Sequence, residues 1–152
     1  MPNILPGDVL LYRPGKGFFS WLIRIKTWHP ISHVEVAVSD RTSVASRDGV
    51  GVGMYAHRSK GLAYILRPKN FDLEPAMEWF QSVDGLPYGW LDLAQFSGLP
   101  IDGEGMVCSP FATMFLRTGG VKIFNNEPAI KIAPFQFLLS EALTEVWSDA
   151  KR

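Results

Sequence analysis

Between residues 32 and 68 the chain is a series of short apolar or alternating runs, each closed by a turn signal. Nothing else in the sequence constrains the fold as tightly. Residues 32–39 alternate strictly and end in Ser39-Asp40-Arg41-Thr42. Residues 43–47 follow, closed by Asp48-Gly49, and residues 50–55 form the next run. Gly51 and Gly53 inside that run signal a bulge or a close backbone approach. Residues 61–68 complete the set. Four consecutive strands on short turns predict an antiparallel meander. Ahead of it, residues 7–13 read as a further strand, stopped by Pro14-Gly15.

Helical spacing governs most of the remainder. Trp21, Leu22 and Ile25 share one helical face within residues 18–26. Asp72 is placed to N-cap a helix running through Ala76, Trp79 and Phe80. Residues 90–96 read as a short helix. Residues 107–116 read as another, closed by the C-cap signal Thr118-Gly119-Gly120. Pro134 opens a final predicted helix, with Phe135, Leu138, Leu139, Ala142 and Leu143 at helical spacing. The order of strand, helix, strands and helices predicts an α+β fold, a sheet packed against helices. The 152 residues suit a single domain over 1–152.

Composition removes several function classes. Fifteen basic residues balance fifteen acidic ones, so no net field favours nucleic acid or an anionic membrane. Arg13, Lys16, Arg24 and Lys26 nevertheless lie close together in sequence. No run approaches the roughly 18–20 apolar residues that span a bilayer. The N-terminus has no basic segment followed by an apolar run, so a cytoplasmic protein is expected. One cysteine excludes an internal disulfide, and with His29, His33 and His57 it makes no metal-ligand spacing. No metal and no cofactor are expected.

That cysteine, Cys108, falls where a glycine-broken loop meets a periodic apolar segment. A thiol at a helix start feels the positive end of the helix dipole, which favours the nucleophilic thiolate. The competing reading is a small buried hydrophobe. His33 and Glu35 share one face of their strand, opposite Val34, Val36 and Val38. That polar face lies either in solvent or along a cleft. In the functional reading His33 takes the Cys108 proton and later returns it to the leaving group. A third polar group then orients the imidazole. Glu35 is preferred, with Asp48 and Ser46 as alternatives. The backbone N–H of Cys108 would stabilise an oxyanion. Tyr88, Ser109 and Tyr12 are candidate hydroxyl donors to substrate, and Asp48 is counted with the substrate-binding residues. His29, just before Pro30, and His57, flanked by Arg58 and Lys60, read as surface residues.

Four short motifs occur in a telling order: Gly7-Asp8-Val9-Leu10-Leu11, Ser32-His33-Val34-Glu35-Val36, Pro87-Tyr88-Gly89-Trp90 and Val107-Cys108-Ser109-Pro110-Phe111. Together they resemble the circularly permuted branch of the NlpC-type papain-like cysteine hydrolases, which includes YiiX-like and lecithin:retinol acyltransferase-like proteins. In that branch the histidine strand precedes the cysteine helix. The resemblance covers residues 7 to 117. It implies a permuted papain-like fold with its nucleophile, Cys108, at a helix N-terminus, and with His33 as base. It also implies cleavage of amide bonds in peptides, including cell-wall peptides, through an acyl-enzyme. The alternatives are transfer or hydrolysis of lipid acyl groups, and a catalytically silent binding or virion module on the same scaffold. Two positions depart from the pattern. The strand after His33 carries no carboxylate or histidine, and Pro110 and Phe111 stand where relatives place an acidic residue. A peptide or acyl substrate is the expected partner, and a phage-encoded member would account for the missing targeting signal.

Overall fold

The computed structural model describes residues 3–15, 29–88 and 108–149. The helices expected over residues 18–26 and 90–96 lie outside them, as do Phe18, Phe19, Trp21 and Trp28.

Six strands form one antiparallel sheet: β1 (Val9–Tyr12), β2 (His33–Ala37), β3 (Thr42–Arg47), β4 (Gly51–Ala56), β5 (Leu62–Pro68) and β6 (Leu143–Ser148). Two helices accompany it, α1 (Leu73–Val83) and α2 (Cys108–Thr118). The architecture is thus α+β.

The sheet order is β4-β3-β2-β1-β5-β6. This corrects the simple meander: β5 leaves β4 and pairs with β1 instead. The reason is burial. Ala63 and Leu66 join the core on one face, while Leu62 and Ile65 pack on the other. A strand apolar on both faces gains most from an interior position. β4, with Gly51 and Gly53 and its half-exposed residues, takes the edge. Its glycines mark a close approach, as expected. At Gly51, φ is +100°, and a Cβ would collide with the Leu86 carbonyl. That carbonyl accepts from Val52 N–H at 2.9 Å and docks the loop after α1 onto the sheet.

The predicted C-terminal helix is also corrected. Pro134–Leu139 is a 3₁₀ segment, and Leu143–Ser148 is a strand on the edge of β5. The apolar spacing that looked helical runs across two elements. Leu143-Thr144-Glu145-Val146-Trp147 is rich in strand formers, and the open β5 edge supplies its partner.

α1 begins where expected: the Asp72 carboxylate accepts from Glu74 N–H at 3.1 Å. Both helices cover one face of the sheet. There Phe111, Phe115 and Leu116 of α2 pack with Val9, Leu11, Val34, Val36 and Val44. Phe111 is ringed by Trp79, Phe80 and Phe115, with centroids 5.6 to 6.4 Å away. Each such ring buried in full contributes about 1.5–3 kcal/mol.

The opposite face is divided. Leu10, Tyr12, Leu62 and Ile65 form a small apolar patch on β1 and β5. Beside it, on β2 and β3, the same face carries His33, Glu35, Ser43 and Arg47. The Gly7-Asp8-Val9 strand start has a structural role. The buried Asp8 carboxylate accepts from Arg67 Nε at 2.8 Å, Arg67 Nη2 at 2.7 Å and Leu5 N–H at 2.8 Å, tying β1 to β5.

Candidate active site

β2 is the element on which the site is built. Its period of two projects His33 and Glu35 to one side, where the register sets them opposite Tyr12 and Leu10 of β1. This face is not the solvated one. The Glu35 side chain is 0 % exposed and that of His33 is 17 % exposed. His33 Nε2 lies 3.1 Å from Glu35 Oε1.

α2 packs across β2 and β3 and delivers Cys108, its first residue, against the His33 end of β2. The sulfur and the imidazole are near enough that each shifts the other's pKa. With Nε2 committed to Glu35, Nδ1 is the ring nitrogen left for the sulfur. The Ser109 hydroxyl lies 3.9 Å from the sulfur, and the Val34 backbone N–H faces it. Cys108 is 1 % exposed and belongs to the core cluster that contains Val34. His33 therefore links two environments, an apolar core holding the thiol and a polar face holding the carboxylate.

The electrostatics follow from this placement. Burial pushes the Cys108 thiol up, but the imidazole, the Val34 N–H and the Ser109 hydroxyl together hold it below its ordinary value. Burial pushes the imidazole down, but Cys108 and Glu35 raise it to about 9. Burial pushes Glu35 up, yet His33, Ser43 and Arg47 bring it down to about 2. A thiolate–imidazolium–carboxylate arrangement is the charge state these shifts favour.

Glu35 has further partners. Ser43 Oγ donates to Oε2 at 2.5 Å. Arg47 Nε donates to Oε1 at 2.9 Å and Arg47 Nη2 to Oε2 at 3.2 Å. Arg58 Nη2 donates to Oε1 at 3.1 Å. The carboxylate is thus a buried hub with an imidazole, a hydroxyl and two guanidinium groups on it.

The other sequence candidates divide. Ser109 adjoins the sulfur, and Tyr12 stands beside His33 with ring centroids 6.0 Å apart. Asp48 is exposed on the β3–β4 turn, where it lines the cleft next to His33. Ser46 is buried opposite Val52, and its hydroxyl meets no partner among the described residues. The imidazole nitrogen is held by Glu35 rather than by Asp48 or Ser46. Tyr88 is half-buried after α1 and does not line that cleft. His29 stacks on Phe135 at 5.1 Å and accepts from Ile31 N–H.

Sequence reading missed Ser43, Arg47 and Arg58 as partners of Glu35. Ser43 and Arg47 were accessible to it, since they alternate on β3 as His33 and Glu35 do on β2. Arg58 was not, because a loop brings it from 23 residues away. Among the described residues no group of histidine, cysteine and carboxylate side chains could hold a metal ion, and no helix is long and apolar enough to cross a membrane.

Compared with models of known families and with curated proteins, the chain matches none.

Proposed function

We propose that this protein is a cysteine-dependent hydrolase of amide bonds, with a permuted papain-like domain of the NlpC type. One observation carries the reading: His33 stands between Cys108 and Glu35, 3.1 Å from the carboxylate and near enough to the thiol to hold it below its ordinary pKa. The histidine strand ahead of the cysteine helix supports the permuted order.

The chemistry follows from the roles. Cys108 gives its proton to His33, and the thiolate attacks the substrate carbonyl carbon, forming a C–S bond. The backbone N–H of Cys108, at the start of α2, faces the oxyanion. The tetrahedral adduct collapses with cleavage of the C–N bond, and His33 protonates the departing amine. Water, losing a proton to His33, then hydrolyses the thioester and frees Cys108. Glu35 keeps the imidazole oriented and offsets its charge through both halves.

Cys108→Ala abolishes peptide turnover, and Cys108 in the wild-type chain alkylates with iodoacetamide at neutral pH faster than a free thiol. Alkylation no faster than free cysteine refutes the reading. A second reading rests on a different observation, the 1 % exposure of Cys108. A sulfur so enclosed suits a catalytically silent binding module on the same scaffold, and complete inertness to iodoacetamide selects it.

A further inference from the structure

Beside His33, on the side of the carboxylate hub, lies a cleft of about 830 Å³. His33, Tyr12, Arg13, Arg47, Arg58 and Lys60 line it, and among the described residues Asp48 is the one carboxylate in its lining. Two features of this cleft are unused by the acyl-transfer chain.

The first is charge. Among the described residues Arg47 and Arg58 share a single carboxylate, Glu35, so the hub keeps a positive surplus. Proton exchange between Cys108 and His33 leaves that surplus unchanged, since it moves charge within the pair. Arg13 is matched by Asp149 at 2.6 Å. Lys60 is exposed and makes no ion pair among the described residues.

The second is a hydroxyl. Tyr12 is 2 % exposed, and no group among the described residues accepts its proton. The nearby Glu35 carboxylate raises its pKa but does not accept from it, the Arg58 backbone N–H faces the phenol oxygen, and the Arg58 guanidinium lies 4.9 Å above the ring. Burial raises the phenol well above its ordinary value, so it remains a donor at neutral pH. Buried hydroxyls are rarely left without an acceptor. One that borders a cation-lined cleft is set to meet an incoming acceptor.

We propose that this cleft binds an anionic oxygen group of the substrate, a carboxylate or a phosphate, and that the Tyr12 hydroxyl donates to it. The bound group and the carbonyl attacked by Cys108 belong to one molecule, and to that extent the inference rests on the hydrolase reading. The anion site itself has a test that needs no reactive sulfur.

Calorimetry on the full chain carrying Cys108→Ala measures binding of glutarate and of inorganic phosphate. Glutarate binding assigns a carboxylate and phosphate binding a phosphate; binding of neither overturns the site. Tyr12→Phe added to this protein weakens binding about tenfold or more, as loss of a hydrogen bond to a charged group requires. Equal binding by the Tyr12→Phe protein overturns the assigned donor.

A second readout uses the reactive sulfur, which displaces iodide from either iodoacetamide or anionic iodoacetate. In Lys60→Glu the ratio of the iodoacetate rate to the iodoacetamide rate falls roughly twofold or more, because the two-unit charge change at the cleft disfavours the anionic reagent. Taking the ratio cancels any change in thiolate population. An unchanged ratio counts against the cationic cleft. Anion binding without any alkylation of Cys108 would leave the cleft standing and remove the hydrolase.

Discussion

Glu35→Gln is the most informative single change in this molecule. The side chain is fully buried and meets His33, Ser43, Arg47 and Arg58. Glutamine keeps the shape but removes the charge, and its amide nitrogen points new donors at a cluster already made of donors. The magnitude follows from the carboxyl's acidity. It is held at about 2 against an ordinary 4.5. At about 1.4 kcal/mol per pH unit, the fold favours the carboxylate by about 3 kcal/mol. Breaking one partner out of a buried ion pair typically costs about 3–5 kcal/mol. Arg58, 46 % exposed, is partly screened by solvent, which keeps the figure at the low end. About 3 kcal/mol corresponds to a fall of roughly 6–12 °C in Tm for a chain of this size. The depressed carboxyl contributes in full above its unfolded value near 4.5, and that contribution is lost as pH falls toward 2. Urea unfolding followed by tryptophan fluorescence therefore shows a gap of about 3 kcal/mol between wild type and variant at pH 7, and about 1 kcal/mol at pH 3. A gap under about 1 kcal/mol at pH 7, or one of the same size at both pH values, refutes the idea that Glu35 is a buried charge stabilised by its cluster.

The His33 ring, followed by NMR, titrates with a midpoint near 9, and Cys108→Ala lowers that midpoint because the sulfur is one of the two groups that raise it. Peptide turnover falls above the same pH, where the imidazolium can no longer protonate a leaving amine; a midpoint at or below 6.5 contradicts the coupling of His33 to Cys108 and Glu35. Phe111→Ala opens a cavity where α1, α2 and the sheet meet, and costs about 3–5 kcal/mol in urea unfolding. A loss below about 1 kcal/mol would mean that this ring is not a core anchor.

The fold and the site were legible in the sequence to different depths. Strand positions came from local signals, alternation and Gly or Asp-Gly punctuation, and β2, β3 and β4 stand close to where those signals put them. Strand partners are set by burial summed over two faces. A run such as Leu62-Ala63-Tyr64-Ile65-Leu66 shows that it must be interior without showing beside which neighbour, and so the place of β5 next to β1 was hidden. β6 was hidden for a related reason: Pro134 and the leucines after it mimic one helix, and only the free edge of β5 turns Leu143–Ser148 into a strand. At the site, period-two geometry put His33 and Glu35 on one face and made Glu35 the preferred orienter, with Asp48 and Ser46 as alternatives. Arg58 was not legible, because its route to Glu35 passes through a loop of no fixed period.

The two arginines on Glu35 bear on how such a site can work. A carboxylate placed in this apolar sheet with only a neutral imidazole beside it would be protonated, since burial alone raises its pKa. It would then be unable to stabilise an imidazolium. His33, then Ser43 and Arg47, keep it ionised, Arg58 adds a second guanidinium at 3.1 Å, and Ser43 and the bidentate grip of Arg47 fix its orientation. The same cations oppose a positive charge on His33, so their presence weakens the effect they make available. The raised pKa of His33 fits the view that Cys108 and Glu35 prevail over burial. Because sulfur and carboxylate approach the ring from different faces of the sheet, neither displaces the other. The imidazole's orientation is thereby set before any substrate arrives, and the cations left over face the cleft rather than the sulfur.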